Sequence, residues 1–219
     1  MISEKLVEIH KTIPAHVCLV AVSKTKPVID LLEAYQAGQR HFGENKVQEM
    51  SEKRELLPKD INWHLIGHLQ TNKVKFIAPF VHLIHSVDSL KLLTEINKQA
   101  AKCQRVISVL LQFYIAKEET KFGLDYEEAI ALLNSEEYKT FKNIQIVGVM
   151  GMASFTDDEE TVRSEFSQLK ELFSKLKVSF FKNDDFFKEI SMGLSGDYQL
   201  AIEEGSTMVR VGSSIFGGR

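Results

Sequence analysis

The sequence predicts a closed parallel barrel of eight β/α units, a (β/α)8 TIM barrel, preceded by one extra helix. Three observations carry this reading. Short β-branched apolar runs alternate with stretches of helical period from Val17 onward. Eight such pairs follow one another within 219 residues, a length near the usual size of such barrels. Several of the runs are apolar on both parities, as strands buried on both faces of a parallel sheet read. A βαβ succession also builds an open doubly wound sheet, which stays as the alternative.

Each element can be read in order. The opening "MISEKLVEIHKTI" has the pattern of an amphipathic helix. "VCLVAVS" (17–23) is the first strand and "PVIDLLEAYQAG" its helix. In that helix Val28, Leu31, Leu32 and Tyr35 share one face, Pro27 suits the first turn and Gly38 the exit. "RHFG" (40–43) precedes the helical "ENKVQEMSEKREL", "INWHLIG" (61–67) precedes "LQTNKVKFIAPF", and "VHLIHSV" (81–87) precedes "DSLKLLTEINKQAAK". "RVISVLLQFY" (105–114) leads through a loop to "DYEEAIALLNSEEY". "IQIVGVMGM" (144–152) leads to a long helix over 157–177, whose opening acids "DDEE" complement the helix dipole. "KEISMG" (188–193) precedes "DYQLAIEEG", and "TMVRVG" (207–212) precedes a short "SSIFGG". The aromatics of "VSFFKNDDFF" (178–187) read as core or as an exposed patch, with core the favoured reading. No repeat, low-complexity tract or linker divides the chain, so a single domain over 1–219 is expected.

Composition removes several function classes. A net charge of −3 with no basic block gives no electrostatic reason to expect a nucleic-acid partner. The longest apolar runs, such as Val106–Leu111, are too short to cross a bilayer. The amino terminus carries acids and no long apolar stretch, unlike a secretory signal. Cys18 and Cys103 sit in apolar surroundings as buried reduced thiols do. A cytoplasmic location is the expectation, with no membrane contact, and a monomer is the expected state.

Barrel chemistry sits at the carboxyl ends of the strands, which directs attention to "AVSKTKP" (21–27). Strand alternation puts Cys18, Val20, Val22 and Lys24 on one face, so Lys24 stands on the functional rim. Lys26 precedes a proline, which pushes it out of helical geometry and toward solvent. Two Gly/Ser turns follow the last two strands: "SMGLSGD", with Ser191, Gly193 and Ser195, and "VGSSIFGG", with Gly212, Ser213 and Ser214. Backbone N–H groups in such turns bind phosphate, and barrels often hold phosphate at this position. A lysine attacks a carbonyl only after losing a proton, against a reference pKa of about 10.4, and a desolvated pocket lowers that cost. Pyridoxal 5′-phosphate (PLP) meets both needs, with an aldehyde for the lysine and a phosphate for the turns.

Five segments, "AVSKTKP", "HFGENKVQE", "WHLIGHLQTNK", "SMGLSGD" and "GSTMVRVGSSIFG", resemble the signature segments of the YggS-like pyridoxal phosphate homeostasis proteins. They occur in the family's order along nearly the whole chain. The resemblance implies an alanine-racemase-type PLP-binding barrel with Lys24 as the Schiff-base lysine. It implies further that Arg210 faces the pyridine nitrogen, that the N–H groups of Gly212 and Ser213 meet the phosphate, and that Asn45 belongs to the pocket. PLP homeostasis, with storage or delivery of the cofactor to PLP-dependent apo-enzymes, is the function implied. There are departures. "QFYIAKEETKFG" matches more loosely, Leu194 stands where methionine is usual, and the chain stops at "FGGR", earlier than many relatives.

Plainer readings stand beside these. Arg210 can be a structural residue paired with an acid such as Glu44. His64, at the end of the third strand, reads as a polar rim residue near the cofactor. No metal site is expected, since "HLIGH" (64–68) straddles a strand end and lacks the glutamate of HExxH. His82 and His85, three apart in a strand, should point to opposite faces. No catalytic residue is assigned. A racemase needs bases on both faces of the cofactor ring, and Lys24 is the one base identified, with Tyr35 and Tyr114 not placed to serve. The reading is therefore a holder of PLP. The alternatives are a racemase-like PLP enzyme of low activity and, more distantly, a Schiff-base aldolase without cofactor.

Overall fold

Eight parallel strands close into a ring in chain order: β1 (Cys18–Val22), β2 (His41–Glu44), β3 (Asn62–Leu65), β4 (Leu83–Val87), β5 (Ile107–Gln112), β6 (Ile144–Met150), β7 (Glu189–Ser191) and β8 (Met208–Val211). The computed structural model describes residues 1–116 and 123–218. β1 pairs with both β2 and β8, with Cys18 opposite Met208 and Val20 opposite Arg210. That last pairing closes the barrel and excludes the open sheet. The helices are α1 (Ile2–Thr12), α2 (Val28–Gln36), α3 (Val47–Leu56), α4 (Val74–Ile77), α5 (Leu90–Lys102), α6 (Tyr126–Asn134), α7 (Glu136–Lys139), α8 (Glu159–Ser179), α9 (Tyr198–Glu203) and α10 (Ser213–Phe216).

Alternation along the strands divides the core in two. Leu19 and Ala21 of β1, Phe42 of β2 and Trp63 and Leu65 of β3 face outward and pack under the helices, with Leu31, Ala34 and Met50. The extra helix α1 joins this layer through Leu6 and Ile9. Inside the ring, Val20 packs with Leu83, Leu110, Met150 and Met208, and Cys18 lies against them. The inward set expected for β1 is therefore present. This inner apolar cluster is small because His64, His85, Ser191 and Arg210 occupy much of the remaining interior, all buried. Buried polar groups persist only when hydrogen-bonded, so their partners organise the middle of the barrel.

Local sequence explains the helix starts. Ser89 Oγ accepts from Leu92 N–H, and Asp125 and Glu128 cap α6 reciprocally. Asp158 accepts from Glu160 N–H, so α8 begins two residues later than the sequence pattern predicts and ends at Ser179. After α8, Phe181 and Phe187 are buried and stacked with ring centroids 4.1 Å apart, as core aromatics, whereas Phe186 is exposed. Most strands are shorter than their apolar runs at one or both ends, while β2 extends one residue beyond its run to Glu44. His82 lies in a bend before β4, outside the ladder. Much of the loosely matching "AKEETKF" stretch falls outside the described residues.

Candidate functional site at the carboxyl ends of the strands

Lys24 follows β1 by two residues, and its neighbours are fixed. Ser23 is fully buried and donates from Oγ to Glu44 Oε1 at 2.6 Å. Thr25 has a left-handed backbone (φ 64°), and its N–H donates to Glu49 Oε1 at 2.6 Å. Beneath both, Lys53 Nζ donates to Ser23 O, Glu44 Oε1 and Glu49 Oε1, each at 2.7 Å. A β-branched residue at positive φ is strained, and Glu49 holds this one in place. Lys24 itself has no hydrogen-bond or ion-pair partner among the described residues. It lines a cleft of about 610 Å³ with Thr25, Lys26, Asp30, Asn45, Lys46 and Glu49.

Lys26 does not point into solvent. Its Nζ donates to the carbonyls of Gly217 and Gly218 at 3.0 and 2.9 Å. The sequence rule concerned only its backbone, and the carboxyl-terminal carbonyls that capture the ammonium lie 191 and 192 residues away.

Asn45 follows β2 on the inward parity of His41 and Gly43. Its Oδ1 is buried without a partner among the described residues. The chain after β3 presses against it: a Cβ on Gly67 would lie 2.4 Å from Asn45 O. Glu44 has the opposite parity and faces Ser23 and Lys53, so it cannot meet Arg210 inside the ring, and that pairing is excluded. Burial raises the Glu44 carboxyl above its ordinary value, an effect that Lys53 and Ser23 oppose.

Arg210 is 2% exposed and donates from Nη1 to Ser191 Oγ at 2.5 Å and from Nη2 to Gly151 O at 3.0 Å. Burial pulls it down to about 10, against the attraction of Asp197, which leaves it charged at neutral pH. Ser191 continues the chain. Its Oγ lies 2.9 Å from His85 Nδ1, His85 Nε2 lies 2.9 Å from His64 Nδ1, and His64 Nε2 lies 2.9 Å from His41 Nδ1. A guanidinium only donates, so Ser191 accepts from it and gives its own proton to His85. Each ring then donates from Nε2 to Nδ1 of the next, an assignment that follows from the network. Burial is the first cause that holds these rings low, with neighbouring charge adding to it: His64 and His85 lie well below the ordinary imidazole value and His41 at about 4. They are neutral links.

His64 is thus an interior residue rather than a rim residue, since β3 runs on past it to Leu65. The expectation that His82 and His85 point apart also fails. Both rings pack on His64 with centroids 5.2 Å away, because His82 precedes the strand and escapes its alternation. His68 lies apart from this cluster, 3.7 Å from Asp88. Sequence reasoning missed His41 and His85; the shared inward parity of His41 and Asn45 was the available signal.

The Gly/Ser turns divide between two roles. Ser191 serves the interior chain. Gly193, at φ 96°, lets its loop approach α9, where a Cβ would lie 2.6 Å from Ala201 Cβ, and its carbonyl accepts from Arg210 N–H at 2.9 Å. Ser195 Oγ accepts from Gly212 N–H at 3.0 Å, so Gly212 is occupied within the protein rather than left for a phosphate. The N–H groups of Ser213 and Ser214 open α10 at the surface, where no intrahelical acceptor exists for them.

A closed parallel barrel with a lysine after β1 that has no partner among the described residues and a buried arginine in β8 points to a class, the alanine-racemase-type barrels. The family model described as alanine racemase, N-terminal domain, matches residues 2–219. The chain belongs to the pyridoxal phosphate homeostasis protein family. It is 38% identical over 204 residues to the family member of Pasteurella multocida, spanning 92% of this chain and 86% of that one. It is 40% identical over 202 residues to that of Aquifex aeolicus, with the same shares. Among solved structures, PipY of Synechococcus elongatus with PLP bound superposes with a TM-score of 0.90 at 35% identity, over 99% of this chain and 100% of that one. An alanine racemase of Clostridium difficile matches in fold, with a TM-score of 0.79 at 14% identity, and this chain spans 59% of it. Among the described residues no helix is long and apolar enough to cross a membrane.

Proposed function

We propose that this chain binds pyridoxal 5′-phosphate through Lys24 and serves to hold and hand on the cofactor. One observation carries the reading: of the two lysines on the loop after β1, Lys24 is the uncommitted amine, whereas Lys26 is tied to two carbonyls. Its family and the PLP-bound PipY structure support the same ligand.

The residues fit the group. When bound, pyridoxal phosphate supplies an aldehyde, an aromatic ring that accepts electrons and a phosphate dianion. Lys24 would provide the amine of the Schiff base. Among the described residues, Asn45 offers a buried oxygen that lacks a partner, and Ser213 and Ser214 offer N–H groups with no intrahelical acceptor. Arg210 uses two of its five N–H groups on Ser191 and Gly151, which leaves donors for the pyridine nitrogen. A cation held there disfavours protonation of that nitrogen and weakens the ring as an electron sink.

Holding suits this site better than turnover. The Lys24 cleft is lined by no tyrosine or histidine, and its Glu49 is committed to Thr25 N–H and Lys53, so neither an imidazole nor a phenol lines it to serve the opposite ring face. Tyr35 lies outside the barrel, where it donates to Asp60. PLP-dependent apo-enzymes in the cytoplasm are the recipients this reading requires. Reduction with borohydride, followed by mass analysis of the peptide spanning 17–33, tests it. A pyridoxyl group on Lys24, absent from Lys24→Ala, is expected. A colourless protein that cannot be reconstituted refutes PLP binding, and racemisation of an amino acid by the purified chain refutes the holder role.

A further inference from the structure

We propose that His41, His64 and His82 form a binding site for a divalent transition metal of the zinc class, at the amino-terminal mouth of the barrel. This is the mouth opposite Lys24. His41 opens β2, His64 lies within β3 and His82 stands just before β4, so three adjacent strands each deliver one imidazole to the same point.

The geometry is close to that of a loaded site. One ring nitrogen from each residue lies within 4.8 Å of the other two, and His41 Nδ1 and His64 Nε2 are already 2.9 Å apart. Zinc–nitrogen bonds of about 2.0–2.1 Å in a tetrahedral site separate the ligand atoms by about 3.4 Å. The fixed pair must open by about half an ångström and His82 must close in. His82 is exposed, which also provides a path for entry. Imidazole is a ligand for zinc, copper and nickel, and three histidines leave a fourth position for water at the open mouth.

The surroundings are those of histidine ligands. Metal binding reverses the direction of the row described above: His64 presents Nε2 bare, and its proton moves to Nδ1 and is donated to His85 Nε2. His85 then carries its proton on Nδ1 and donates it to Ser191 Oγ, which accepts from both His85 and Arg210. Every ring keeps one proton and stays neutral, and a ligand histidine backed by an acceptor is the usual second shell. His41 Nε2 has the Asn62 side chain 3.4 Å away. The nearest cation, Arg105, is committed to Ala78 O at 2.5 Å and Val81 O at 2.8 Å. None of this depends on the cofactor reading.

The test uses the full chain, without a histidine tag and freed of metal by a chelator. Titration with Co²⁺ is expected to give one equivalent per chain and the intense visible bands of a tetrahedral site, displaced by Zn²⁺. His82→Ala and His41→Gln should each weaken binding at least tenfold. A His10→Ala, His16→Ala, His68→Ala triple variant should bind as the parent does. Zn²⁺ should also protect His82 of the parent protein from diethyl pyrocarbonate, a readout that needs no variant to fold. The proposal is overturned by absence of saturable binding, by binding that survives both cluster substitutions, by loss in the triple variant, or by an unprotected His82.

Discussion

Glu44 and Lys53 form an ion pair shielded from water, with Nζ 2.7 Å from Oε1 and side chains 0% and 7% exposed. It lies under the loop that carries Lys24, and the same ammonium holds the carbonyl of Ser23. The pair fixes the backbone from which Lys24 projects.

Lys53→Met should therefore cost about 3–5 kcal/mol, the usual penalty for stranding one partner of a buried pair. The loss should depend on pH. Without Lys53 the Glu44 carboxyl rises further above its ordinary value, so at pH 5 it folds as the neutral acid, whereas at pH 8 it must bury a charge or hold a proton against solution. Urea melts should show the larger deficit at pH 8. An equal loss at both values contradicts the assignment.

Arg210→Met should lower stability by about 2–4 kcal/mol, because the Ser191 hydroxyl and Gly151 carbonyl lose charged donors inside the barrel. For a chain of this size that is a fall in Tm of about 5–15 °C. Thermal melts followed by circular dichroism read it directly.

Lys26→Ala should leave the borohydride label on Lys24 and cost about 1 kcal/mol. Its signature is local: faster hydrogen exchange at Gly217 and Gly218. A lost label would mean that the two lysines have been assigned the wrong way round.

Cys18 faces the barrel interior, where burial and Glu189 push its thiol up to about 12. At pH 8 the reactive thiolate is then only about one part in ten thousand. Iodoacetamide should modify Cys103 in the native protein and reach Cys18 only after unfolding. Peptide mapping at both stages distinguishes them.

The barrel was legible because alternation is a local property. Cys18, Val20, Val22 and Lys24 could be aligned from four residues of one strand, and the Lys24 rim position followed. What escaped was set by ring closure. Lys26 meets Gly217 and Gly218 because β1 neighbours β8, and no local pattern carries that contact. The outward parity of Glu44 was readable, yet Arg210 was paired with it on charge alone. His41, His64 and His82 stand 23 and 18 residues apart, and only the stagger of β2, β3 and β4 brings their rings together. Gly212 reads locally as a phosphate donor, but its N–H is taken by Ser195 Oγ from the preceding rim turn.

The row of rings from His41 to His85, ending on Ser191 and Arg210, crosses the barrel from one mouth to the other. Each ring and the Ser191 hydroxyl has one proton to give and a site to receive, whereas Arg210 only donates, so the row can face only one way at a time. Turning any ring obliges its neighbours to turn. The imidazole that opens β2 and the arginine of β8 are thereby joined by one continuous line of hydrogen bonds through the middle of the barrel.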